Sequence, residues 1–113
     1  MSWAITLAHG DYVWKADGGE DWSTEVDRFF DRLTALDRAL EAAALPDGAE
    51  AKLIQGPLAD ALTHVGQLAM LRGLAGFPVR PESYARADIV VGRVGPTQSA
   101  PLKEFDGDAS ARK

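Results

Sequence analysis

The feature that most limits how this chain can fold is a nearly uncharged segment, residues 57–75, which reads PLADALTHVGQLAMLRGLA. Within it the formal charges are those of Asp60 and Arg72. Its apolar residues recur at helical spacing, and they also cover much of the remaining helix surface. They are Leu58, Ala61, Leu62, Val65, Leu68, Ala69, Met70, Leu71 and Leu74. Because a helix that is apolar nearly all round is normally buried nearly all round, we expect a central helix that other elements or a second subunit must cover.

A second, amphipathic helix is predicted over residues 24–45. Its apolar stripe consists of Val26, Phe29, Phe30, Leu33, Leu36, Leu40 and Ala44. Ser23 or Thr24 can cap its amino end, and the LeuProAspGly sequence at 45–48 stops it. Its other faces are charged, which is typical of a helix on the outside of a bundle.

The rest of the chain gives weaker signals. The alternation of Trp3, Ile5 and Leu7, followed by more aromatic residues, predicts a small hairpin that lies on the helices as a flap. Residues 81–91 are compatible with a short helix opened by Pro81 or with extended chain. The composition of 97–113 predicts a flexible tail. We therefore expect an all-α protein with one domain over residues 1–96.

Composition excludes several classes of function. The chain has 113 residues, a formal charge of −5 and no Lys/Arg cluster, so neither nucleic acid nor an anionic membrane surface is an expected partner. No cysteine is present, so a metal would have to be held by His, Asp, Glu or water. No secretory signal and no apolar run of membrane-spanning length are found, which makes the cytoplasm the default expectation for its location.

The polar residues of the 57–75 segment form the strongest candidate site. Asp60, His64 and Gln67 recur at i, i+4 and i+7, on one face of the helix. Three interpretations are open. His64 and Asp60 can be two ligands of a divalent metal. Asp60 can orient His64 and favour its protonated form for general acid–base work. The three side chains can also form a purely structural network at an interface.

Three further residues are lower-ranked candidates. His9, in a predicted turn, is the one other imidazole that a metal could use. Asp37 lies at the edge of the apolar stripe of its helix, where it could face His64 from the neighbouring helix. Arg72 lies within an apolar stripe, so we expect it to pair with Asp37 or Asp60.

The runs DALTHVGQLAMLRGLAGFPV and ESYARADIVVGRVG resemble the carboxyl-terminal part of the DinB-like superfamily, in which the last bundle helix carries an HxxxHxxQ pattern before a Gly-Pro stop. The resemblance implies a four-helix bundle, often dimeric, with a divalent metal such as zinc or nickel held by a histidine triad. Characterised relatives include thiol-dependent transferases and isomerases that act with low-molecular-weight thiols. His64 matches the second histidine of the pattern, and Gln67 matches its glutamine.

This chain departs from the family pattern in two ways. Asp60 stands where the first histidine is usual, and the helices that would supply the remaining histidine do not precede Trp3. The chain is therefore interpreted as a shortened relative, or as one whose gene start lies upstream of Met1. We expect two long antiparallel helices that form a homodimer and so restore a four-helix bundle.

Two functions follow as expectations. The first is a metal-binding, thiol-dependent transferase or related enzyme acting on a small molecule, with Gln67 as a supporting contact. The second is a non-catalytic bundle that oligomerises or binds a partner.

Overall fold

A computed structural model describes residues 1–16, 18–42, 44–79 and 84–99, with the backbone alone at Arg86. The helical elements, in chain order, are α1 (Ser2–Ala8), α2 (Trp22–Ala42), α3 (Ala49–Leu53), a π-helical segment (Ile54–Leu58), α4 (Ala59–Leu74) and a short 3-10 turn (Tyr84–Arg86). The described ranges contain no strand, so the predicted mostly α class is confirmed. A search of the described residues finds no helix with the length and apolar character needed to cross a membrane.

The predicted amino-terminal hairpin is wrong, because residues 2–8 form helix α1. Ala4, Leu7 and Ala8 follow helical spacing and are almost completely buried, with exposed fractions of 0%, 4% and 2%. They pack with Leu36 and Ala39 of α2, where the small alanine side chains let the two backbones approach closely. A helix buries Ala4, Leu7 and Ala8 on one face, and this burial favours the helix over the strand that the alternation of Trp3, Ile5 and Leu7 indicated.

The predicted helix 24–45 is present as α2, which starts two residues earlier, at Trp22, and is described as far as Ala42. Its amino end is capped by Asp21, two or three residues before the predicted capping residues Ser23 and Thr24. The Asp21 carboxylate accepts hydrogen bonds from the backbone N–H of Ser23 at 2.9 Å and of Thr24 at 3.2 Å, and from the Thr24 hydroxyl at 2.7 Å. The Thr24 hydroxyl is the main cause that lowers the pKa of Asp21 below its usual range.

The predicted helix 57–75 belongs to a longer helical run that begins at Ala49. Gly48, at φ 75°, occupies the left-handed region before it. Pro57, which the sequence placed at the first helical position, lies inside the run instead. The π-helical segment accommodates this proline, because the ring supplies no N–H for the helical hydrogen-bond ladder. Within the same segment, Gly56 packs against the ring of Trp3.

Helix α4 is exposed along its whole length in the single chain, whereas the sequence predicted a central helix covered by other elements or by a second subunit. None of its residues is buried. Among the described elements its close backbone neighbour is the π-helical segment, so α4 extends away from the core that α1 forms with α2 and α3. The four-helix bundle and the antiparallel packing of the two long helices remain predictions.

Residues 84–99 form one short 3-10 turn, Tyr84–Arg86, and no strand. After the 3-10 turn the chain is irregular, and Arg93 holds it together by an ion pair with Asp88 and a hydrogen bond to Ser99. Gln98 donates to the carbonyl of Gly95 at 2.7 Å. Pro81 and residues 100–113 of the predicted tail lie outside the described residues.

Candidate functional site

The structure brings Asp60, His64 and Gln67 together on one face of α4. His64 Nε2 lies 3.6 Å from Asp60 Oδ1, and His64 Nδ1 lies 2.9 Å from Gln67 Oε1. The side chains of His64 and Asp60 are 63% and 59% exposed. The predicted face therefore exists, but in a single chain it is open to solvent rather than enclosed in a bundle.

The Gln67 contact determines which nitrogen of His64 is available for chemistry. The amide oxygen of Gln67 is a pure acceptor, so Nδ1 must donate its hydrogen in this bond. In the neutral ring this leaves the lone pair on Nε2, the nitrogen that faces the Asp60 carboxylate. Two electron-rich atoms then face each other, which is favourable when a metal cation lies between them.

The distance between these two atoms fits chelation of one metal ion. At 3.6 Å, Nε2 and Oδ1 are too far apart for a direct hydrogen bond. A tetrahedral zinc with Zn–N and Zn–O bonds of about 2.1 Å holds two ligand atoms about 3.4 Å apart. The observed separation therefore matches a bidentate pair of ligands within a few tenths of an ångström. The Nδ1–H bond to Gln67 is the kind of outer contact that orients metal-bound histidines.

Asp60 and His64 form part of one wall of a groove of about 480 Å³ between α4, α2 and the amino-terminal segment. Its apolar walls include the aromatic residues Trp3, Trp14, Trp22, Phe29 and Phe30. Glu25 also lines the groove, and its carboxylate forms an ion pair with Arg28. The size and the few polar groups of this groove resemble those of small-molecule sites.

Three lower-ranked candidates do not join this constellation. His9, at the end of α1, and Asp37, on α2, are not among the groove residues. The predicted ion pair of Arg72 is wrong: its Nε donates to the carbonyl of Phe77 at 3.2 Å, just beyond the end of α4. Across the described parts of the chain, no group of three or more His, Cys, Asp or Glu side chains comes close enough to hold a metal.

The aromatic groove was missed by the reasoning from sequence. Trp14 and Lys15 belong to the irregular stretch after α1, and Trp22 opens α2, so no periodic pattern connects them. Tyr12 contacts Trp3 edge-on, with ring centroids 5.5 Å apart, and this contact helps to fold the stretch back toward α1. The signal that could have found the groove is that the three tryptophans of the chain all lie within residues 3–22.

Comparisons with protein-family models, with curated proteins and with solved structures find no match to this chain.

Proposed function

We propose that this protein is a DinB-like metal-binding protein in which Asp60 and His64 hold a divalent metal, zinc or nickel, and Gln67 fixes the imidazole tautomer. One observation carries the proposal: Nδ1 of His64 is engaged by Gln67 while Nε2 lies 3.6 Å from Asp60 Oδ1, a chelating separation. A bound zinc or nickel would supply Lewis acidity. The residues of the chain itself orient the ring and present both donor atoms on one face.

The aromatic groove supports an activity on a small molecule. It lies against the Asp60–His64 pair, so a ligand whose apolar part rests on Trp14, Trp22 and Phe29 would place a polar end beside those two side chains. Together with the sequence resemblance, this favours a thiol-dependent transferase as the class of enzyme. The thiol would be a low-molecular-weight one, and its sulfur is a ligand atom that zinc accepts.

The exposure of the site argues against the purely structural interpretation within one chain. A solvent-exposed ionic pair typically contributes about 0–1 kcal/mol to stability, so the triad has little to gain from packing alone. If the triad is only structural, His64→Ala should change the melting temperature of metal-free protein slightly and leave no other trace.

The experiment is the metal content of protein purified without a histidine tag, measured by plasma mass spectrometry. We expect zinc, nickel or iron in the wild type and its loss in His64→Ala. His9→Ala is the matched control, since it removes an exposed imidazole that is not part of the groove. Absence of metal from both the wild type and zinc-soaked protein would refute the metal-binding function. Assays of thiol transfer to electrophilic acceptors follow if metal is retained.

A second candidate function is favoured by the exposure of α4. Leu62, Met70, Leu71 and Leu74 are between 55% and 78% exposed, an amount of apolar surface that a partner would cover. A non-catalytic module that forms a homodimer, and so restores a bundle of two α2 and two α4 helices, accounts for this surface. A mass of one chain by light scattering at micromolar concentration, with and without zinc, would contradict it.

A further inference from the structure

We infer that the metal site is completed by a second copy of the chain, so that Asp60 and His64 of two protomers hold one shared ion at a two-fold axis. This inference rests on the proposed metal-binding function and goes beyond it, because it makes the ligand set and the oligomeric state a single property. It also differs from the intramolecular histidine triad that the family resemblance implies.

The number of ligands points to a second copy. Structural zinc sites use four protein ligands, and catalytic sites use three plus an open position. Asp60 and His64 provide two, and the part of the chain that the structure describes brings no third candidate to them. One chain therefore offers half of a tetrahedral site. Two symmetry-related copies of the pair provide two imidazoles and two carboxylates, the four-ligand set of a structural site, so a thiol sulfur would reach the metal only by displacing one of these ligands.

The surroundings of α4 leave space for a second copy. This helix has no buried residue, and its close backbone neighbour among the described elements is the π-helical segment that precedes it. The groove beside it is lined on the α4 side by Ala61, Val65 and Leu68, which form an apolar surface around the two polar ligands. A helix from a partner that covers this surface would exclude water from the ligands, and it would take the place of a small molecule on the α4 wall of the groove.

The charges on the groove face are self-complementary in one arrangement. An antiparallel two-fold pairing of α4 helices that is centred at residue 62 places each Asp60 opposite the partner's His64. Each Asp60 carboxylate then faces a His64 imidazole of the other protomer, and the four donor groups converge on one point. A pairing centred at Gly66 would instead place Asp60 opposite the partner's Arg72. That alternative is disfavoured, because Arg72 does not line the groove and already donates to Phe77.

The first part of the test is a zinc titration followed by sedimentation velocity, together with the bound metal per chain. We expect zinc to double the mass from 12.1 kDa, with one zinc per two chains, and EDTA to reverse the change. His64→Ala should abolish zinc-dependent dimerisation, whereas His9→Ala should behave as the wild type. Because His64 lies on the exposed helix α4 and His9 is itself exposed, both variants are expected to fold, which circular dichroism checks.

The second part measures the pairing geometry. The chain lacks cysteine, so Thr63→Cys and Leu74→Cys each introduce a single site for a nitroxide label, and both positions are exposed. In the antiparallel pairing centred at residue 62, the helix rise of about 1.5 Å per residue separates the two labels at 63 by about 3 Å along the helix axis, and those at 74 by about 36 Å. We expect electron double resonance on the zinc-loaded dimer to give a short distance for position 63 and a long one for position 74.

The outcomes separate the two proposals. One zinc bound to a monomer would keep the metal-binding function and overturn the shared site. No zinc in any form would overturn both. A dimer that ignores EDTA, or one in which the labels at 74 are as close as those at 63, would overturn the shared site and favour α4 as a simple packing surface.

Discussion

Replacing Gly56 by alanine tests the contact between the amino-terminal helix and the π-helical segment. A Cβ atom at this position would lie 3.1 Å from Cη2 and 3.2 Å from Cζ2 of Trp3, so the ring must move by a few tenths of an ångström. Such overpacking typically costs about 1–3 kcal/mol. The loss of glycine's unfolded-state entropy offsets about 0.5–1 kcal/mol of this. Gly66 is the matched control, since a Cβ there meets nothing within 4 Å.

We therefore expect Gly66→Ala to raise the free energy of unfolding by about 0.5–1 kcal/mol, and Gly56→Ala to fall about 1–3 kcal/mol below that variant. Urea unfolding in the presence of EDTA, at one protein concentration, measures both. On a Trp3→Leu background the difference between the two alanine variants should shrink toward zero, because the ring that Gly56 contacts is gone. Equal stabilisation by both alanines on the Trp3 background would refute the packing of Trp3 on Gly56.

Three further measurements test the cap, the core and the site. Asp21→Ala should destabilise the protein at pH 7. The pKa of Asp21 is lowered in the folded protein, so Asp21 stabilises the fold fully at pH values above its ordinary pKa of 3.8. This stabilisation is lost as the pH falls through the lowered pKa. The melting temperatures of Asp21→Ala and of the wild type should therefore converge in acid. Leu36 is 3% exposed, so Leu36→Ala should lower the free energy of unfolding in urea by about 2–5 kcal/mol. Leu62 is 73% exposed, so the control Leu62→Ala should change the free energy of unfolding by less than about 0.5 kcal/mol. Gln67→Leu removes the acceptor of the imidazole Nδ1–H, so zinc affinity, measured by competition with a chelating dye, should fall about 10–100-fold; an unchanged affinity would contradict the orienting role.

The sequence predicted the long helices well and the short one badly. Over residues 24–45 and 57–75, apolar residues repeat for several turns, and such a pattern is hard to obtain by chance. Helix α1 has seven residues, and its buried face depends on Ala4 and Ala8, whose small side chains give a weak hydrophobic signal. The start of the second long helical run was placed eight residues late, because Pro57 is a typical first helical residue and is here an internal one.

The candidate site could be predicted where it is local and not where it depends on tertiary structure. Asp60, His64 and Gln67 lie within two turns of one helix, so their spacing alone brings them together. The exposure of that helix could not be read from its composition, since an apolar surface signals a partner without saying whether the partner lies in the same chain. The aromatic groove depends on how the stretch after α1 folds back.

The π-helical segment has a consequence for the direction in which the site points. A π turn holds about one residue more than an α turn, and one residue corresponds to about 100° of rotation around a helix. The side chains after Leu58 therefore point about 100° away from the directions they would have if α3 continued as a regular α-helix. Deleting one residue from Ile54–Leu58 would allow regular α-helical hydrogen bonding and would rotate Asp60 and His64 away from the tryptophans. The extra residue around Pro57 thus sets the direction in which Asp60 and His64 point, although Pro57 precedes both of them in the chain.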